Sequence, residues 1–269
     1  MGTRRALTSR WWFRTPLLLV AIFLPVLTQV PFDPAQTSLV IADILKNPLI
    51  HQWAPLLPFA KLVLLAVTVA AFRLRSGAAA VVLVYYAVVL VVLAVLQNMS
   101  STEHYGFAWV IGNTLIMLVV AVRCGIDVTR RESDWRPTDL VVRRLWVLAP
   151  MALAFLMPYT IVADAIRPSF GLELLTNSAG LTYCMVTPVI IGLLVLFSAR
   201  VSPATLSLVS FVGLYFGIVN LVTWWVLLPA SWWMGVLHVP LFLLAIYGLV
   251  VARSERRKPG RDAAPQDSS

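Results

Sequence analysis

Residues 77–96 read GAAAVVLVYYAVVLVVLAVL, a run of 20 residues without a single charge. The hydrocarbon core of a bilayer is about 30 Å thick, so about 20 apolar residues in helical conformation cross it. Within that core every backbone amide must find its hydrogen-bond partner inside the protein, and a helix provides one within its own segment. This stretch therefore predicts a transmembrane helix.

Seven further apolar stretches flank this one, each bounded by charges, prolines or polar turns. With 60% apolar and only 12% charged residues, the chain has too few charges to cover the surface of a soluble domain. We therefore predict an all-α, polytopic membrane bundle of about eight transmembrane helices. The predicted spans are residues 15–30, 55–72, 77–96, 106–122, 145–163, 181–199, 205–228 and 235–252.

Basic residues fall almost entirely on one side of this topology, 18 of the 21 in the chain. By the positive-inside rule that side is cytoplasmic, which places both termini in the cytoplasm and the protein in the plasma membrane. The other side keeps only Lys46, Lys61 and Arg167. The net charge of +9 is thus a topology signal rather than a nucleic-acid surface. The excess of arginine over lysine is typical of a GC-rich bacterial coding sequence.

The first span has an alternative interpretation. Residues 3–14, TRRALTSRWWFR, followed by an apolar run also fit a signal peptide, including a twin-arginine one. No small-residue cleavage site follows Val30, which favours a retained helix.

The two halves of the chain align without a gap when the sequence is shifted by 130 residues. The alignment predicts two tandem four-helix units in the same orientation, because four spans return the chain to the side it started from. The predicted divisions are a cytoplasmic tail (1–14), a first unit (15–123), a cytoplasmic linker (124–144), a second unit (145–253) and a disordered cytoplasmic tail (254–269). The matched pairs that carry the alignment are Asp43 with Glu173, Asn47 with Asn177, Pro58 with Pro188, Tyr85 with Tyr215, and Arg123 with Arg253.

Each unit also has a longer outer segment after its first span. Residues 38–47 place Ile41, Ile44 and Leu45 on one helical face, and residues 169–177 do something similar with Leu172 and Leu175. Both segments fit short helices lying on the outer leaflet.

Motifs that identify enzymes or cofactor sites are missing from the sequence. There is no GxGxxG, P-loop, HExxH, GxSxG or EF-hand loop. Cys124 and Cys184 fall on opposite sides of the membrane, so they cannot form a disulfide with each other. No cofactor is predicted, and a catalytic role is less expected than a non-catalytic one.

Polar side chains inside the spans are the candidate ligand contacts. Asn113 and Asn220 each lie about two turns inside a span, where an amide forms an interhelical hydrogen bond or contacts a ligand. Tyr85 and Tyr215 lie near mid-membrane, far from the usual aromatic belt, so each hydroxyl needs an acceptor or a ligand. We expect these two tyrosines to face the interface between the units.

Lys61 and the histidines lie near the outer ends of their spans. Lys61 either extends to the headgroups or pairs with Glu103 or Asp164. His104 and His238 begin the predicted fourth and eighth spans, so they either sit at the wetted interface or converge on a metal or haem.

Three functions follow from these residues. The first is the binding or passage of a small solute or lipid between the two units. The second is a structural or assembly role beside other membrane subunits. The third is a haem-bearing or lipid-modifying membrane enzyme, which requires the histidines to meet Glu103, Lys61 or Asp164. The bilayer is the expected partner in all three, and nucleic acid is not.

Overall fold

A computed structural model describes residues 11–46, 48–162 and 165–258 and is mostly helical. Asn47, Ala163, Asp164 and most of both predicted tails lie outside the described residues. The helices are α1 Trp11–Phe23, α2 Thr37–Lys46, α3 Leu57–Arg73, α4 Ala78–Leu96, α5 Ile111–Arg130, α6 Leu148–Leu156, α7 Glu173–Thr176, α8 Tyr183–Leu196, α9 Pro203–Val222 and α10 Trp232–Arg256. The strands are β1 Val26–Thr28, β2 Met99–Thr102, β3 Gly106–Val110, β4 Tyr159–Val162 and β5 Ala165–Pro168.

Helices lie in all eight predicted stretches, and in the described part of the chain four segments have the length and apolar composition to cross a membrane. These are Ala78–Leu96, Ile111–Arg130, Pro203–Leu227 and Pro229–Arg256. They indicate a membrane protein. The central helix α8 is apolar but has only 14 residues, about 21 Å at 1.5 Å per residue. Helices α1 and α6 are shorter still, with 13 and 9 residues.

Prolines and strands account for the short helices. Helix α1 ends at Phe23, before Pro25, and α6 ends before Pro158, with Met157 in a left-handed conformation at φ 34°. Proline lacks an amide hydrogen and disfavours helix at the preceding residue. The chain then continues as strand β1 after α1 and as strand β4 after α6.

The prediction of an all-α fold is therefore corrected by a small amount of β-structure. Strands β1, β3 and β2 form an antiparallel sheet in that order, in which Val26 pairs with Val110 and Met99 with Trp109. Strands β4 and β5 form a hairpin that joins Tyr159 to Pro168. The predicted fourth span begins five residues too early, because residues 106–110 belong to β3.

The outer segment of the first half is helical, as predicted, but it packs on protein. Val40 and Ile44 of α2 are buried against Val26, Ala108 and Val110 of the sheet. In the corresponding outer segment of the second half, residues 169–177, only Glu173–Thr176 is helical. Leu172 and Leu175 of this segment are exposed.

Helix α8 forms the centre of the bundle. All of its residues except Cys184 are buried, as expected for a helix that is apolar on every face. Helix α4, by contrast, leaves one face uncovered, with exposed valines at positions spaced by three or four residues. They are Val81, Val84, Val88, Val91 and Val95. Such a stripe fits contact with lipid chains.

The bundle has two chemically different ends. At one, called here the basic end, Arg14 and Arg256 contact the start of α9, and Arg144 contacts both the C-terminal part of α8 and Glu255 of α10. The opposite end carries the sheet and the β4–β5 hairpin and is called the sheet end.

The two halves share part of their element order, since each begins with a helix, continues into β-structure and a short helix, and contains three further helices. The first half has strands β2 and β3 before its last helix, whereas the second half has both β4 and β5 directly after its first helix. The halves therefore differ at the sheet end, where the residues that correspond to β2 and β3 under the 130-residue shift, 229–240, are helical.

Candidate functional site

An apolar crevice lies between α1, α5 and α9. It is a shallow groove that is partly open to the surroundings, and it is lined by Leu17, Leu18, Ile116, Phe211, Val212 and Tyr215. Helices α1 and α5 belong to the first half of the chain and α9 to the second. The crevice is therefore an apolar groove at which the two halves of the chain meet.

One end of this crevice is marked by two arginines. The Arg14 guanidinium donates from Nη2 to Ser207 Oγ and lies 5.2 Å from the centre of the Phe211 ring. Its Nε is buried and makes no hydrogen bond within the described part of the chain. Arg256 donates from Nη2 to the Pro203 carbonyl at 3.0 Å. Sequence analysis assigned these arginines to topology alone and missed their position beside α9.

The register of α9 explains this arrangement. Pro203, Ser207, Phe211 and Tyr215 follow one another at intervals of four residues, and residues so spaced lie on the same face of a helix. The face therefore begins with the two arginine contacts and continues into the crevice. This spacing is visible in the sequence once α9 is known to start at Pro203.

The second candidate tyrosine, Tyr85, lies on α4 and packs against the largest cluster of buried apolar side chains in the bundle. Its hydroxyl is buried and has no hydrogen-bond partner among the described residues. Its neighbour Tyr86 is the side chain that joins the halves: it is completely buried, and its hydroxyl lies 3.0 Å from Thr187 Oγ1 of α8. Sequence analysis did not single out Tyr86, because two adjacent tyrosines cannot be ranked by hydropathy, and the expected position of Tyr85 at the interface between the units stays a prediction.

The two candidate asparagines make few contacts with other helices. Asn220 donates to the Phe216 carbonyl of its own helix at 2.8 Å and to Cys184 Sγ at 3.2 Å. Asn113 is half-buried, and its neighbour Thr114 makes the polar contacts instead. Thr114 accepts from Trp109 Nε1 at 2.8 Å and lies 2.8 Å from the Ala94 carbonyl.

Lys61 is 1% exposed and lies in the bundle near the sheet end. Its ammonium group donates to the Leu156 carbonyl at 3.2 Å, to Asn177 Oδ1 at 2.8 Å and to the Leu174 carbonyl. The side chain does not extend to the surface, and it does not pair with Glu103, which is exposed in the β2–β3 turn. The other suggested partner, Asp164, lies outside the described residues.

The candidate histidines lie against different parts of the structure. His104 is exposed in the β2–β3 turn, beside Tyr105, so it does not begin a helix as predicted. His238 is buried in α10, with Nδ1 2.7 Å from the Met234 carbonyl and its ring 6.2 Å from that of Trp224. Tyr105 packs on the sheet cluster with Val40 and Ile44, whereas Met234 and Trp224 pack with Met157 and Met185. The histidines thus share no cluster.

A charged network at the basic end was also missed by sequence analysis. Arg123, which is 4% exposed, forms a bidentate ion pair with Glu132, and both side chains bond to Ser202 Oγ at 2.9 Å. Burial raises the pKa of Glu132, but the Arg123 ion pair and the Ser202 hydroxyl outweigh it and hold the pKa below the usual value for glutamate.

A second part of this network surrounds Asp127, which is fully buried and accepts from Ser133 Oγ at 2.9 Å and from Thr205 Oγ1. The segment 131–135 is thereby fixed against the start of α9. Residues of the predicted linker therefore pack against the bundle, through Asp127 and Ser133.

The described residues contain no group of three or more His, Cys, Asp or Glu side chains arranged to hold a metal ion. Of the eight candidate residues, Tyr215 lines the crevice, and the other seven are distributed over the bundle rather than gathered in one site. Comparison of the chain with protein-family models, with curated proteins and with solved structures finds no match in any of the three.

Proposed function

We propose that this chain is a multi-pass protein of the plasma membrane, with its basic end in the cytoplasm, that binds a membrane lipid between its two tandem units. The observation that supports this function best is the crevice lined by α1, α5 and α9, because its walls come from both halves and are apolar except for the Tyr215 hydroxyl. An apolar crevice in a bilayer is surrounded by acyl chains, which are its most abundant ligands.

The interior of the bundle supports lipid binding over the passage of a polar solute. Helix α8 occupies the centre, with 13 of its 14 residues buried. Its polar contact with the first half, Thr187 to Tyr86, is satisfied within the protein. A solute pathway requires a row of polar groups facing water or a cavity, whereas the crevice between α1, α5 and α9 is lined almost entirely by apolar side chains.

A matched pair of variants on α1 tests this function. Leu18→Trp places a large side chain in the crevice, whereas Leu19→Trp places the same side chain at a position that is 49% exposed and outside the lining. We expect Leu18→Trp to lower the amount of lipid that co-purifies in mild detergent, measured by mass spectrometry of solvent extracts. Equal lipid content in both variants and the wild type would contradict the proposal.

A role as an assembly subunit is the second candidate, and the uncovered face of α4 favours it. Its five exposed valines fit a neighbouring helix as well as they fit lipid. Crosslinking from a photoreactive residue at position 88 distinguishes the two: a discrete protein adduct in native membranes supports assembly, and crosslinking to lipid alone argues against it.

A further inference from the structure

The structure assigns a chemical class to the lipid of the proposed crevice. We infer that Arg14 and Arg256 together bind the phosphate of an anionic phospholipid whose acyl chain lies along Phe211 and Tyr215. This inference rests on the proposed function and adds the identity of the headgroup to it.

The first argument is that the two guanidinium groups contact the same turn of one helix. Arg256 is bonded to the carbonyl of Pro203 and Arg14 to the hydroxyl of Ser207, four residues further along α9. In an α-helix the carbonyl of one residue points towards the residue four positions on, so the two bonded oxygen atoms belong to a single turn. A phosphate group beside this turn can accept hydrogen bonds from both guanidinium groups, a pairing that arginine favours.

The second argument is the lack of compensating negative charge. Within the described residues neither Arg14 nor Arg256 forms an ion pair, and both bond only to neutral oxygen atoms. The acids near the start of α9 have other partners: Glu132 pairs with Arg123, Glu255 with Arg144 and Lys258, and the buried Asp127 accepts from Ser133 and Thr205. Arg256 lies within electrostatic range of both Arg14 and Arg123. This corner of the basic end is therefore locally cationic and favours an anion.

The third argument is the buried, unpartnered Nε of Arg14. An unsatisfied buried donor is costly, more so on a charged group. The same guanidinium lies over the Phe211 ring, and Phe211 lines the crevice. Arg14 Nε therefore lies at the position where the phosphate headgroup of a lipid in the crevice joins its acyl chain. Basic pockets between transmembrane helices bind anionic headgroups in this manner.

The test measures lipid binding by native mass spectrometry of the full-length protein in detergent. The probes are phosphatidylglycerol and phosphatidylcholine with identical acyl chains. We expect the wild type to bind phosphatidylglycerol about five- to tenfold more tightly, and Arg14→Gln and Arg256→Gln each to remove most of this preference. Arg253→Gln is the matched control, because it removes the same charge from an exposed position on α10.

Arg256 is exposed, so Arg256→Gln is expected to fold even if Arg14→Gln does not. Equal binding of the two lipids by the wild type, or an equal loss of preference in Arg253→Gln, would overturn the headgroup inference. If lipid binding still responded to Leu18→Trp, the proposed function would survive that result.

Two further results distinguish lipid binding from no binding at all and from binding of free phosphate. If neither lipid binds and Leu18→Trp has no effect, the proposed function itself fails. If inorganic phosphate at millimolar concentration displaces phosphatidylglycerol while Leu18→Trp leaves its binding unchanged, the arginines bind free phosphate and the lipid assignment is wrong. Displacement that requires a lipid competitor, with sensitivity to Leu18→Trp, supports it.

Discussion

Among single residues, Lys61 departs furthest from what its chemistry suggests. A lysine near the end of a membrane helix usually extends to the headgroups, yet this ammonium group is 1% exposed and has three oxygen acceptors. They are the Leu156 carbonyl at the end of α6, the Leu174 carbonyl in α7 and Asn177 Oδ1 directly after α7, all in the second half of the chain. Lys61 therefore fixes α3 of the first half to the outer segment of the second. Its three donors are all satisfied, which makes it a structural residue rather than a ligand contact.

Glu132 permits a prediction of pH dependence. Its pKa is lower in the folded protein than the usual glutamate value, because of the Arg123 ion pair. A lowered pKa in the folded state means that the charged form contributes stability above the usual glutamate pKa, and that this contribution is lost as the pH falls through the folded-state value.

We expect Glu132→Gln to lower the free energy of unfolding at pH 7 by about 2 kcal/mol, because Arg123 then lacks a charged partner. The difference from the wild type should diminish as the pH falls below the usual glutamate pKa and through the lower folded-state value, because Glu132 is then protonated in both states. Thermal unfolding of the two proteins in detergent across this range is the measurement. A difference that does not change with pH would show that Glu132 acts through its shape rather than its charge.

Among the elements, α9 contributes most to the candidate site. It provides Ser207 and Pro203 to the arginines, Thr205 to the Asp127 network, and Phe211 and Tyr215 to the crevice. Its first residue is Pro203, which is well suited to the first turn of a helix because the missing amide hydrogen is not needed there. Because α9 begins at Pro203, the face that each of these residues occupies on the helix is set from that position.

The turn Ser178–Leu181 provides a test of packing between the halves. A Cβ atom on Gly180 would lie 2.3 Å from the backbone nitrogen of Lys61, which cannot move without shifting α3. We expect Gly180→Ala to destabilise the protein by about 1–3 kcal/mol.

Gly125→Ala is the control, because nothing lies within 4 Å of a Cβ at that position of α5. It should be neutral or stabilising by up to about 1 kcal/mol, the usual gain of alanine over glycine in a helix. Unfolding midpoints in detergent compare the two variants. A Gly180→Ala protein as stable as the wild type would show that the turn does not contact α3 as closely as described.

For the whole molecule, the two ends of the bundle predict an orientation in the membrane. The basic end should face the cytoplasm and the sheet end the opposite side. In a background that lacks Cys124 and Cys184, we expect Glu103→Cys in the β2–β3 turn to react with a membrane-impermeant maleimide in intact cells. Arg130→Cys at the end of α5 should react only after permeabilisation. The reverse pattern of labelling would place the basic end outside.

Much of the helical framework could be predicted, and much of the site could not. Long apolar runs located helices in all eight stretches, but hydropathy did not reveal that Pro25 and Pro158 end two of them early, or that residues 106–110 form a strand. Apolarity measures preference for lipid and not backbone conformation. The apolar stretch FAWV at 107–110 is compatible with a helix and with a strand, and its pairing with β2 makes it a strand.

The amino-acid sequence by itself determined that this chain lies in a membrane, because the hydrophobic effect acts on composition and run length. It also provided the asymmetric distribution of arginine on which the predicted orientation rests, and it placed Tyr215 among the candidates. Only the tertiary structure decided that Tyr86 joins the halves, that Lys61 is buried against three oxygen acceptors, and that Arg14 and Arg256 meet the same face of α9. The physical reason is that these contacts connect residues 50 to 190 or more positions apart, and their geometry depends on how helices rotate and pack, which local patterns of apolar and polar residues do not specify.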